Sequence, residues 1–186
     1  MIAEPAWSTL GFSDISGTYL ALPKTITLTR TWAIGAPLGS GGFGRVFEAT
    51  GDDGSSAVAK FVARAPGADR ELLFVNPAGV RNVIPIIDKG EVSDSLVLVM
   101  PRAEKSLRDH LGQAGPALPL DEAIPILIDV AQTLEDLASR VVHRDIKPEN
   151  VLLLGGHWCL ADFGIARYAD ATTGDVTWKG FMTMSL

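Results

Sequence analysis

Asp145, Lys147, Asn150 and Asp162 are the side chains whose types and spacing can do chemistry. They lie in His143-Arg144-Asp145-Ile146-Lys147-Pro148-Glu149-Asn150 and, twelve residues after Asn150, in Asp162-Phe163-Gly164. Carboxylate and amide oxygens are hard donors of the kind that suits Mg²⁺. A carboxylate with an ordinary pKa can also take a proton that leaves late in a reaction. A second group lies upstream in Leu38-Gly39-Ser40-Gly41-Gly42-Phe43-Gly44-Arg45-Val46, which contains G-x-G-x-x-G. Glycines there let backbone N–H groups approach phosphates closely and tolerate positive φ, and Phe43 at the tip can exclude water. The pattern alone is weak, because it also marks dinucleotide-binding folds and ordinary Gly-rich hairpins. In a dinucleotide-binding unit the third glycine opens a helix. Here Arg45-Val46-Phe47-Glu48-Ala49 is β-prone and runs into the turn Gly51-Asp52-Asp53-Gly54, as a hairpin would. Lys60 closes the apolar run Ala57-Val58-Ala59, sixteen residues past Gly44. Taken singly it reads as a snorkelling surface lysine, and Glu71 reads as part of a solvated helix turn.

In this order, the Gly-rich loop, Lys60, Glu71, the H-R-D-x-K-x-x-N run and D-F-G resemble the catalytic domain of eukaryotic-like (Hanks-type) serine/threonine protein kinases over about residues 32–186. The resemblance implies transfer of the ATP γ-phosphate to Ser or Thr hydroxyls of protein substrates, with ATP and Mg²⁺ as cofactors. Asp145 would orient the acceptor hydroxyl, and Lys147 would stabilise charge on the transferring group. Lys147 is also what sets this loop apart from the tyrosine-specific type. Lys60, paired with Glu71, would reach the α- and β-phosphates, and Asn150 and Asp162 would hold the metal. Leu38, Gly39, Ser40, Gly41, Gly42, Phe43 and Gly44 would cover the phosphates. Val46, Val58 and Leu152 would sandwich the adenine. Met100 takes the gatekeeper place, followed by the linker Pro101-Arg102-Ala103 whose backbone meets the base. Val58 stands where the family usually has alanine and should narrow that pocket. Arg144 matches the class controlled by phosphorylation of the activation segment, for which Thr172, Thr173 and Thr177 are the nearest acceptors. His143 and Phe163 would stack in an apolar column with Val75 and Ile86.

These residues need a scaffold of α+β class: an antiparallel-sheet lobe with one helix over 32–100, then the start of a mainly helical lobe over 101–186. Residues 1–31 form an extension expected to pack loosely, with a β-leaning run at Thr25–Thr29. Short apolar runs predict strands around Val46–Ala49, Ala57–Val62, Val83–Ile87 and Leu96–Met100, and a helix over 69–76 that stops before Pro77. After Pro101 the periodicity predicts a short helix at Ser106–Leu111 and a long one at Asp121–Ser139. On the long helix the apolar residues fill an arc of roughly 200°, about twice the usual stripe, so it needs cover on two sides. Val141-Val142, Val151–Leu154 and Trp158–Ala161 predict short strands framing the Asp145 loop.

The chain has 186 residues, 47% apolar and 20% charged, which is a globular composition. A net charge of −6 without a basic stripe gives no support to nucleic-acid binding. The single Cys159 excludes an internal disulfide. No apolar run reaches the roughly 18 residues of a membrane span, so a cytoplasmic location is the default expectation. The matched pattern ends within the activation segment, before an A-P-E motif, so the second lobe is expected to be partial. The alternative function is therefore a catalytically incomplete nucleotide-binding or regulatory module.

Overall fold

A computed structural model describes residues 23–41, 44–63, 79–115, 117–138, 141–163 and 167–168. The first strands are β1 (Thr25–Thr27), β2 (Thr31–Gly41), β3 (Gly44–Gly51) and β4 (Ser56–Ala63), followed by β5 (Asp88–Val92) and β6 (Ser95–Pro101). They form one six-stranded antiparallel sheet in the order β1-β2-β3-β4-β6-β5. Successive side chains on a strand point to opposite faces, and the adjacent interior strands β4 and β6 use both. Ala57, Ala59 and Phe61 of β4 and Val97 and Val99 of β6 pack around the fully buried Trp32 on one face. Val58 and Lys60, with Leu98 and Met100, line a cavity on the other. Burial on both faces explains why β6 reads as the near-continuous apolar run Leu96–Met100.

Gly44 turns the β2–β3 hairpin with φ +128°, and a Cβ there would lie 2.4 Å from the Phe61 carbonyl oxygen. Only glycine fits that approach. The strand after Gly44 is thus a hairpin arm, which removes the dinucleotide-binding reading. Two sequence expectations need correcting. The run Val83–Ile87 is extended but, apart from a single parallel bridge between Val83 and Leu160, is not a strand; the strand begins at Asp88. Pro85 has no N–H to give a ladder, and Ile84 N–H instead bonds Leu160 O at 2.9 Å. The second concerns the end of the N-terminal segment. Thr25–Thr27 pairs with β2, and Ile26 is buried in the Trp32 cluster, so these residues are not loosely packed. The helix expected over 69–76, with Glu71 and Val75, lies outside the described residues.

Past β6 come β7 (Lys105–Ser106), helix α1 (Leu107–Ala114), helix α2 (Leu120–Leu137) and β8 (Val141–Val142). Then follow a 3₁₀ turn at Pro148–Asn150, β9 (Val151–Leu154), β10 (His157–Leu160) and β11 (Arg167–Tyr168). β10, β9 and β7 make a small sheet, and β11 pairs with β8. Ser106 opens α1 with a capping box: its hydroxyl accepts from Asp109 N–H at 3.1 Å, and the Asp109 carboxylate accepts from Ser106 N–H at 3.3 Å. α2 buries Ile126 and Leu137 against Val141, Val151, Trp158, Leu160 and Phe163. Asp129, buried on the same helix, accepts from Trp158 N–H at 2.8 Å and so ties α2 to β10.

Candidate active site

The twelve-residue spacing of Asn150 and Asp162 has a geometric origin. β9 and β10 are the arms of a hairpin whose turn residues Gly155 and Gly156 have φ +59° and +84°, and Val151 pairs with Leu160. The chain leaves Asn150, makes the round trip and returns beside it. Ala161 N–H bonds Asn150 O at 2.9 Å, and His143 Nε2 lies 3.0 Å from Ala161 O. Both peptide groups flanking Asp162 on its N-terminal side are thereby fixed to the loop that carries Asp145.

His143 is buried and accepts from Asp145 N–H at Nδ1, 3.3 Å away, so its proton sits on Nε2, where it donates to Ala161 O. Burial lowers its pKa and keeps the ring neutral. The Phe163 ring packs on it at 4.6 Å between centroids. Phe163 and Ile86 both line the cavity; Val75 lies outside the described residues. Arg144 and Asp162 adopt left-handed φ of +70° and +64°. Such strain in residues other than glycine persists only where the surroundings hold it.

Asp145 is held at one oxygen and open at the other. Its Oδ2 accepts from Lys147 Nζ at 2.8 Å and from Asn150 Nδ2 at 2.9 Å. Among the described residues nothing donates to Oδ1. The hydrogen bond and charge of Asp145 raise the pKa of Lys147, which is cationic at neutral pH. Asn150 gives its second amide proton to Asp145 O at 2.8 Å. Both donors are thus engaged, and the amide oxygen is its remaining polar atom. Across the cavity, Lys60 Nζ meets Asp162 Oδ1 at 3.0 Å. Lys60 is buried, so it is not the snorkelling surface residue that its strand position suggests in isolation.

The cavity between the two sheets has a volume of about 470 Å³. Leu38, Gly39, Val46 and Val58 form its roof, Met100 and Ala103 lie along its linker edge, and Leu152 is opposite. Lys60, Asn150 and Asp162 stand at its polar end. Ser40 and Gly41 belong to the end of β2, pairing with Arg45 and Gly44, and do not line the cavity; Gly42, Phe43 and Glu71 lie outside the described residues. Asp145 and Lys147 are also off the cavity wall, joined to it through Asn150. The structure adds wall residues that motif matching missed. Leu98 is legible from strand alternation with Met100, whereas Ile84, Ser106, Asp109 and Glu149 reach the wall through tertiary placement alone.

A family model of the protein kinase domain matches residues 32–184. The chain is 32% identical over 163 residues to calmodulin-binding receptor-like cytoplasmic kinase 3 of Arabidopsis thaliana, covering 80% of this chain and 32% of the relative. It is 34% identical over 165 residues to serine/threonine-protein kinase pkn2 of Myxococcus xanthus, covering 80% and 19%. Against serine/threonine-protein kinase PknD of Mycobacterium tuberculosis it is 34% identical over 144 residues, covering 71% and 22%. The chain spans about a third or less of the length of these relatives.

Proposed function

The chain belongs to the protein kinase domain family, and on that premise we propose that it binds ATP in the 470 Å³ cavity and transfers the γ-phosphate to Ser or Thr hydroxyls of a protein substrate. The observation that carries this reading is the half-held Asp145, with Oδ2 fixed by Lys147 and Asn150 and Oδ1 left for a substrate hydroxyl. The new bond joins the hydroxyl oxygen to the γ-phosphorus, the bond to the β,γ-bridging oxygen breaks, and the hydroxyl proton passes to Asp145. Transfer of this kind asks the protein for alignment and charge compensation. Lys147, beside Asp145, faces the charge of the transferring group. Lys60 lies at the polar end to meet the α- and β-phosphates, which would compete with Asp162 for its ammonium. The apolar roof of Val46 and Val58, with Leu152 opposite, suits a flat heterocycle.

The donor set fits Mg²⁺. Asn150 has its amide oriented by two hydrogen bonds so that the oxygen is its free end, and Asp162 adds a carboxylate on the same wall. When bound, the ion would neutralise phosphate charge next to these carboxylates. None of the described helices is long and apolar enough to cross a membrane. A cytoplasmic location, with ATP at hand and no nucleic-acid partner, belongs to the same reading.

Asp145→Asn should lower phosphate incorporation into a Ser/Thr peptide by at least about 100-fold while leaving ATP affinity within about twofold. Equal incorporation in both proteins would remove Asp145 from the role. If the unsubstituted chain binds ATP without incorporating phosphate, the reading as a nucleotide-binding or regulatory module takes its place.

A further inference from the structure

The edges of the six-stranded sheet, β1 and β5, are far apart in strand order but meet in space. The turn after β1 folds onto the first residue of β5. Asp88, only 5% exposed, gathers five donors there. These are the N–H groups of Thr29 (3.3 Å), Arg30 (3.1 Å) and Lys89 (2.9 Å), the Trp32 indole N–H (2.8 Å) and the Thr29 hydroxyl. Leu28 sits against Gly90, where a Cβ would come within 2.8 Å of its Cδ2. The sheet is thereby curled closed around Trp32, with Ile26 and Leu28 covering Val97, Val99 and their neighbours. Leu28, Thr29 and Arg30 precede residue 32, where the family match begins, so one half of this closure is supplied by sequence outside the matched domain and the other half, Asp88 with Trp32, Lys89 and Gly90, by sequence within it.

We propose that residues 25–31 form a clasp, with Asp88 as its positioning residue, that couples closure of the sheet to nucleotide occupancy of the cavity on the opposite face. The coupling runs through β4 and β6, whose alternate residues serve both sites. Ala57, Ala59, Val97 and Val99 pack under the clasp, while Val58, Lys60, Leu98 and Met100 line the cavity. Opening the clasp exposes the first set and lets the strands shift, which moves the second set. A nucleotide seated on the second set holds the strands, and hence the clasp, in place. Such linkage is reciprocal: each site changes the other by the same factor. The inference rests on the reading that the cavity takes a nucleotide.

The test uses the full chain, Mg·ADP as probe, and the substitutions Thr29→Val, which removes one donor to Asp88 at nearly constant volume, and Thr29→Ser, which keeps it. Calorimetry should show ADP affinity weakened about fivefold in Thr29→Val and within about twofold of the unsubstituted chain in Thr29→Ser. In the unsubstituted chain, saturating ADP should slow exchange of the Arg30 and Lys89 amide protons, both bonded to Asp88, by about fivefold. That second measurement decides the matter even if Thr29→Val does not fold. Unchanged affinity together with unchanged amide exchange would overturn the coupling while leaving the nucleotide reading in place. Absence of ADP binding by the unsubstituted chain would overturn both.

Discussion

Single residues at this site are held by their neighbours more than by their own preferences. His143 is neutral because burial disfavours its charged form, and its two ring nitrogens already have opposite roles, one accepting from Asp145 N–H and one facing Ala161 O. Its folded pKa lies below the unfolded value of about 6.5. Below that pH the unfolded chain binds the extra proton more readily, so stability falls as the solution is acidified. The urea midpoint should therefore drop between about pH 7.5 and about pH 5.5, above the carboxylate range. His143→Gln should flatten that drop, and an identical pH slope in both proteins would exclude His143 as its source. Cys159 behaves in the opposite sense: burial pushes its thiol up to about 11. A thiol-specific reagent should leave it unlabelled until the chain unfolds. The residues proposed to do the chemistry could be singled out because motif spacing marks them. What the sequence hid was their engagement: that Lys60 is buried against Asp162, and that Asn150 gives both amide protons to Asp145.

Elements with local instructions were the easiest to read. The β3 and β4 strands, the β9–β10 hairpin and, among the described residues, α1 and α2 fall within a few residues of where alternation, glycine turns and helical periodicity put them. β5 was displaced because Val83–Ile87 looks like the better strand by composition; hydrogen-bond partners, not apolar content, decide, and Pro85 cannot complete a ladder. Asp88-Lys89-Gly90-Glu91-Val92 forms the strand as a sheet edge, where polar residues are tolerated. β1 was legible as a β-leaning run, but its closure onto Asp88 joins residues more than fifty positions apart, a separation no local pattern spans. The capping box of α1 is local, and its effect can be stated. Ser106→Ala should cost about 1 kcal/mol in urea unfolding. If the substitution cost nothing, the cap would not be setting the start of α1.

At the scale of the whole molecule, the segment 79–87 that leads into β5 is strapped to α2. Arg81 binds Asp136 through its N–H and its guanidinium at 2.8 Å and reaches Glu135 at 3.0 Å. Thr133 donates to Asn82 O at 3.2 Å on the next turn of the helix. That strap and the β10 contact cover one side of α2. The helix was expected to need cover on two sides, and the other carries Leu120, Ile124, Leu127 and Ile128, exposed by 76%, 51%, 67% and 49%. Their spacing of four, three and one residues puts them on one continuous stripe. An apolar stripe of this kind promotes association, since each side chain removed from water gains roughly 1.5–3 kcal/mol when fully buried. The double substitution Leu120→Glu, Leu127→Lys should therefore lower self-association of the 186-residue chain in sedimentation experiments. It should do so without lowering the thermal midpoint, because neither side chain has a buried contact to lose. A fall in the midpoint would mean instead that this face is covered within the chain and that the stripe stabilises the fold from inside.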